Sequence, residues 1–125
     1  MSNIPADLKY TKSHEWISLD GDVATIGITD FAQSELGDVV FVELPNVGRV
    51  LGAGDSFGSV ESVKTVSDVY APIAGEVVDV NAALGSQSEL INSDPYGKGY
   101  MLKLKVNPSD VEGLMSADDY QGLVS

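Results

Sequence analysis

Short runs of apolar and polar residues, broken by turn residues, dominate the chain. Trp16-Ile17-Ser18-Leu19 leads into Asp20-Gly21-Asp22 and then Val23-Ala24-Thr25-Ile26-Gly27-Ile28. Two apolar stretches around an Asp-Gly turn predict a β-hairpin. Residues 39–44 are rich in β-branched and aromatic side chains and stop at Pro45. Further strands are expected at 57–63, 65–70, 75–80 and 100–106, with turns at Gly48, Gly52, Gly54, Gly75, Gly85 and Gly97-Lys98-Gly99. Closely spaced short strands with such breakers predict an all-β sandwich or barrel core. Segments 47–59 and 72–85 each place strands around glycine turns, which suggests two similar halves.

Helix signals are few. Asp30-Phe31-Ala32-Gln33 has the form of a capping box, with Leu36 above Ala32 and Gly37 as a stop. Ser109 and Glu112 form a second such box after Pro108, and Ser116 is placed to cap a last helix through Leu123. Leu114, Met115, Tyr120 and Leu123 are its expected contacts with the body. Helices thus fall in one crossover and at the C-terminal end, which disfavours a parallel α/β sheet. The expected organisation is one domain over 1–125, with a β-rich core at about 8–106 and C-terminal helices at about 108–124.

Composition narrows the chemistry. The chain of 125 residues has no cysteine, which excludes disulfides, thiolate metal sites and a cysteine nucleophile. Nineteen acidic residues against seven basic ones give a net charge of −12. A phosphate backbone would be repelled, so nucleic acid is not an expected partner. The same charge favours a soluble monomer and can steer it to basic patches on larger proteins. Apolar runs such as Val39-Val40-Phe41-Val42 are too short to span a membrane. Residues 1–11 show no basic region followed by an apolar stretch, so no signal peptide is expected and cytoplasm is the default.

Catalytic machinery is sparse. His14 is the single histidine, and His14-Glu15 is not followed by a second one, so no zincin motif forms. No Asp-x-Asp loop has calcium spacing, and no Gly-Lys-Ser/Thr follows the glycines at 48, 52 and 54. Lys64 stands apart, in Val60-Glu61-Ser62-Val63-Lys64-Thr65-Val66-Ser67-Asp68-Val69-Tyr70. Both flanks alternate, with Val60 and Val63 apolar on one side and Val66 and Val69 on the other, as for two strands meeting at a turn. A lysine there projects a long solvated amine, which suits an attachment point, but on this pattern alone an ordinary turn lysine is the favoured reading, since most lysines are solvated surface groups.

Six blocks carry a resemblance that covers residues 8–123. Glu61-Ser62-Val63-Lys64 with Ser67-Asp68 resembles the lipoylation motif of glycine cleavage H proteins. Ser13-His14-Glu15-Trp16 is similar to the family's N-terminal strand, and Gly27-Ile28-Thr29-Asp30-Phe31-Ala32-Gln33 to its first helix entry. Leu36-Gly37-Asp38-Val39-Val40-Phe41-Val42-Glu43-Leu44-Pro45 resembles its central strand. Gly75-Glu76-Val77-Val78-Asp79-Val80-Asn81 and Asn92-Ser93-Asp94-Pro95-Tyr96-Gly97 match further blocks. Gly99-Tyr100-Met101 stands where the family usually has a tryptophan after the glycine, a change that concerns packing.

The resemblance implies a lipoyl-type barrel-sandwich hybrid with short outer helices and lipoate joined to Lys64 through an amide. It implies a carrier, not an enzyme. The dithiolane would accept an aminomethyl group at a pyridoxal-phosphate glycine decarboxylase, present it to an aminomethyltransferase, and be reoxidised by dihydrolipoyl dehydrogenase. Lipoate would arrive through a lipoate ligase or lipoyltransferase. An aminomethyl adduct needs shielding from water, and by match with the family Ser13, Glu15 and Asp68 would hold its amine in a cleft. The alternative for Glu15 and Asp68 is solvated surface charge, and for Ser13 a turn hydroxyl. His14 is expected to pack or hydrogen-bond structurally, and Trp16 to lie in the core. Rival readings are another carrier domain, biotinyl or from an oxoacid dehydrogenase, and an unmodified H-like binding protein. Biotin carriers flank the lysine with methionines and oxoacid lipoyl domains show Asp-Lys, whereas Val63 and Thr65 flank Lys64.

Overall fold

A computed structural model describes residues 3–124. The strands are β1 (Lys9–Tyr10), β2 (Glu15–Asp20), β3 (Val23–Ile28), β4 (Val39–Glu43), β5 (Val50–Leu51), β6 (Ser56–Ser62), β7 (Val66–Tyr70), β8 (Gly75–Val80) and β9 (Leu102–Lys105). Between and after them lie α1 (Asp30–Leu36), a 3-10 turn (Ala82–Gly85), α2 (Leu90–Ser93), α3 (Pro108–Val111) and α4 (Ala117–Val124). The chain is therefore mostly β with short helices, as the pattern predicts. Two antiparallel sheets form: six strands in the order β1-β2-β3-β9-β8-β5, and three in the order β4-β6-β7. Their facing sides bury Ile26, Val42, Val60, Val69, Val77 and Leu104 in one core. This arrangement fits the barrel-sandwich expectation.

The β2–β3 hairpin pairs Asp20 with Val23 and Glu15 with Ile28 around the Asp20-Gly21-Asp22-Val23 turn. Trp16 faces Gly27 across it, and its indole N–H donates to Pro95 O at 2.9 Å. Trp16 belongs to a second buried cluster with Tyr10 and Tyr120, so α4 is packed against β1 and β2. Asn92 joins distant segments: its Oδ1 accepts from Val39 N at 2.8 Å, and its Nδ2 donates to Gly37 O at 2.8 Å and Gln33 Oε1 at 2.9 Å.

Several expectations are corrected. The N-cap of α1 is Thr29, whose side chain accepts from Ala32 N, while Asp30 is already helical and its Oδ1 accepts from Gln33 Nε2. At α3 the cap is Asn107, accepting from Ser109 N, with Pro108 at the first helical position, where its missing N–H costs nothing. Ser116 caps α4 as expected, since Asp119 N donates to its Oγ. Tyr120 is fully buried there, but Leu123 points outward at 48 % exposure. Val63 and Val66, expected on the apolar side, are 71 % and 60 % exposed; Val60 and Val69 alone reach the core. The last strand is shorter than 100–106, and the two-residue strands β1 and β5 were not anticipated. Nor do 47–59 and 72–85 repeat one another: the first holds β5 and the start of β6 in different sheets, the second β8 and the 3-10 turn. Among the described residues no helix is long and apolar enough to cross a membrane.

Candidate functional site

Lys64 sits at the tip of the β6–β7 hairpin, exposed, in a turn built around one serine. Ser62 N donates to Thr65 O at 2.8 Å. The buried Ser62 hydroxyl accepts from Lys64 N at 3.3 Å and Thr65 N at 3.2 Å. Val63 N donates to Asp38 O at 3.0 Å, which ties the tip to the segment after α1. The Lys64 side chain passes that segment as well: a Cβ at Gly37 would lie 3.5 Å from Lys64 Cε. Gly37 has φ +81°, a conformation that glycine adopts freely where α1 ends. The amine thus stands in solvent beside the C-terminal end of α1.

Alongside α1 runs a cleft of about 320 Å³ between the start of β2, α1 and β7. Ser13, Glu15 and Asp68 all line it, so the fold brings together the three residues singled out by resemblance. Its apolar lining comes from Ile28, Phe31, Ala32, Leu36, Val60 and Val69. Glu35 and His14 line it too, and neither was assigned to it from sequence. For Glu35 the available signal was its place one helical turn after Phe31 and Ala32, on the α1 side that carries both. His14 nevertheless packs and hydrogen-bonds as expected, with Nδ1 2.8 Å from Tyr120 Oη and its ring 5.0 Å from that of Phe31.

Asp68 and Ser13 are exposed, but Glu15 is not a solvated surface charge: it is 2 % exposed. Burial raises its pKa above the usual carboxylate value, while hydrogen bonds from Thr11, Ser13 and the Tyr70 backbone pull it down. Thr11 and Ser13 hydroxyls both donate to Oε1, at 2.6 and 2.7 Å. With its proton committed there, Ser13 Oγ keeps lone pairs free to accept from a ligand. Burial likewise holds His14 below its ordinary pKa, with the Glu35 charge opposing. The lining therefore offers three carboxylates, a neutral imidazole and an apolar bed. Such a cleft suits a ligand with a flexible apolar stem and a cationic end.

Comparison with known proteins agrees along the whole chain. The family model described as "Glycine cleavage H-protein" matches residues 8–125. Proteins named "Glycine cleavage system H protein" from Carboxydothermus hydrogenoformans and Opitutus terrae are 54% and 58% identical to the chain. The first alignment covers 99% of this chain and 96% of that protein, the second 99% of each. A crystal structure of a glycine cleavage system H protein from Mycobacterium marinum superposes with a TM-score of 0.87 at 43% identity, covering 95% of this chain and 97% of that one. With the hairpin lysine, the acidic cleft and the two-sheet core all in place, the chain belongs to the glycine cleavage H-protein family.

Proposed function

We propose that this chain is the lipoyl carrier of a glycine cleavage system, with Lys64 as the attachment residue and the α1–β7 cleft as the shelter for its load. Family membership supports the carrier role. The observation that carries the site assignment is the placement of Lys64: an exposed amine on a hydrogen-bonded hairpin tip, leaning over the end of the helix that walls the cleft.

The residues present fit a lipoyl amide. A modifying enzyme can reach the amine, and the cleft lining matches an alkyl stem followed by a positive end. When bound, lipoate supplies a dithiolane that carries the aminomethyl group of glycine and two electrons; that chemistry belongs to the cofactor and to the partner enzymes. This chain's own residues position and protect. Val60, Val69 and Ile28 give the stem an apolar bed that excludes water. The Glu15 carboxylate, held by Thr11 and Ser13, faces the cationic end, with Asp68 and Glu35 at the more exposed rim. A cation beside Glu15 lowers its raised pKa, so loading and ionisation of Glu15 favour one another. Ser13 Oγ accepts from the ammonium.

The partners in this reading are the glycine decarboxylase, the aminomethyltransferase, dihydrolipoyl dehydrogenase and a lipoate ligase or lipoyltransferase, met by a cytoplasmic monomer. The test is an intact mass of the protein from its own host, with the modified peptide located. A single lipoyl gain on the peptide holding Lys64 is expected; a biotinyl gain supports the rival carrier. Lys64→Arg keeps the charge, and it should fold, stay unmodified and support no glycine cleavage with the three partner enzymes. Retained cleavage by that variant removes the assignment.

A further inference from the structure

The two walls of the cleft come from separate parts of the chain, and one hydroxyl is bonded to both. Tyr120, from α4, lies with its Oη 2.8 Å from His14 Nδ1 and 2.7 Å from Thr29 Oγ1. His14 sits between Ser13 and Glu15 on one wall. Thr29 caps α1, the other wall, through Ala32 N at 3.2 Å, and its own N–H donates to His14 O at 3.0 Å. The Tyr120 ring is itself fixed, stacked on Tyr10 with centroids 4.8 Å apart and planes 8° from parallel.

His14 has φ +71°, in the left-handed region, and is the one non-glycine residue there among the described residues. Positive φ is uncommon outside glycine, although histidine adopts it more readily than most residues, and the bonds around His14 hold it there. The protons in this network can be ordered. Thr29 Oγ1 already accepts from Ala32 N, and the hydroxyl is buried. Its proton goes to Tyr120 Oη, and the Tyr120 proton then goes to His14 Nδ1, which leaves the histidine protonated on Nε2.

We infer that Tyr120 is a positioning residue for the carried group: its hydroxyl locks the His14 tautomer and backbone, and so sets the spacing between the Ser13–Glu15 wall and α1. The C-terminal helix thereby becomes part of the cleft although it contributes no lining residue. This rests on the carrier reading, and the two fail differently. A chain that takes no lipoyl group on Lys64 shows no mass gain, whereas the histidine state is read on the unlipoylated protein.

The protein has a single histidine, so its imidazole ¹⁵N spectrum is unambiguous. In the parent protein Nδ1 should be unprotonated and Nε2 protonated; the opposite tautomer overturns the inference. Tyr120→Phe keeps the ring and the stack on Tyr10 and should give a mixture of tautomers. In the lipoylated protein, loaded by glycine decarboxylase, the variant should also lose its one-carbon load about fivefold faster, the population change expected from one lost hydrogen bond. That loss consumes one water and gives the free thiol, formaldehyde and ammonium, and it is read as formaldehyde released in buffer. An unchanged lifetime in folded Tyr120→Phe overturns the inference, whatever the imidazole does. His14→Ala cuts the same link from the other side and serves if Tyr120→Phe does not fold; a parent-like lifetime there overturns it equally.

Discussion

The Ser13 hydroxyl donates to Glu15 Oε1 across 2.7 Å, and Thr11 donates to the same oxygen across 2.6 Å. Two donors on one buried oxygen would normally favour ionisation, yet burial outweighs them and the carboxyl pKa is raised from 4.5. The native state therefore binds more protons than the unfolded chain between 4.5 and the folded pKa. Stability falls as pH rises through that window and is constant above it. Glu15→Gln should abolish this contribution and be at least as stable as the parent at pH 7. His14 gives the opposite slope, because its lowered pKa makes stability fall as pH drops below 6.5. The quantity to read is thus the difference between variant and parent in urea unfolding from about pH 4 to about pH 8. Parallel curves for the two proteins would show that Glu15 does not titrate as described.

Ser62 offers a cleaner separation of fold from function. Its hydroxyl accepts from two consecutive backbone N–H groups at the turn that carries Lys64. Ser62→Ala leaves both donors to find water, at a cost of about 1 kcal/mol. The tip then samples other conformations, so lipoylation by a purified ligase should slow through a higher KM while the core stays intact. Stability from urea unfolding and kcat/KM for lipoylation check this together. An unaltered kcat/KM would mean the turn geometry is irrelevant to recognition.

Trp16 and Gly27 face each other in the β2–β3 hairpin, and the indole lies directly over the glycine. A Cβ at Gly27 would come within 2.7 Å of Nε1 and 2.9 Å of Cε2 and Cζ2. The indole is 2 % exposed and bonded to Pro95 O, so it has nowhere to move without breaking that bond. Gly27→Ala should cost about 1–3 kcal/mol through overpacking. Trp16 is the only tryptophan, so its fluorescence reports the displacement directly. A melting temperature within about 1 °C of the parent would contradict the packing described.

What could be read from sequence divides by range. The β2–β3 hairpin, α1 and the Lys64 hairpin were legible because each is written in fewer than about fifteen consecutive residues, with its own turn or stop signal. Val63 and Val66 face solvent because each lies three residues from its buried neighbour, Val60 or Val69, and a period of two puts residues three apart on opposite faces. The caps at Thr29 and Asn107 were misplaced by one or two residues because Asp30 and Ser109 beside them are equally good cap types. Two-residue strands such as β1 and β5 have no period to detect. The site was harder still. Ser13, Glu15 and Asp68 came from resemblance, and periodicity could not show that Glu15 is buried. The bond between His14 and Tyr120 spans 106 positions in the chain, so no local pattern encodes it.

Val63 and Val66 flank the Lys64 turn at 71 % and 60 % exposure, and Phe41, paired with Glu61 in the neighbouring strand, is 53 % exposed. Apolar side chains left in water around the proposed attachment residue have no role in the core, so replacing them should spare the fold. Val63→Asp is expected to change stability by no more than about 0.5 kcal/mol. An enzyme that acylates Lys64 must close over this tip and gains by covering those valines. Val63→Asp should therefore lower kcat/KM for lipoylation about tenfold, through the lost apolar contact and the new charge that must be desolvated. Because Lys64 itself is untouched, a long incubation with excess ligase should still bring the variant to full modification. A variant that is lipoylated at the parent rate would show that the enzyme reads the lysine and the turn without using the apolar surface beside them.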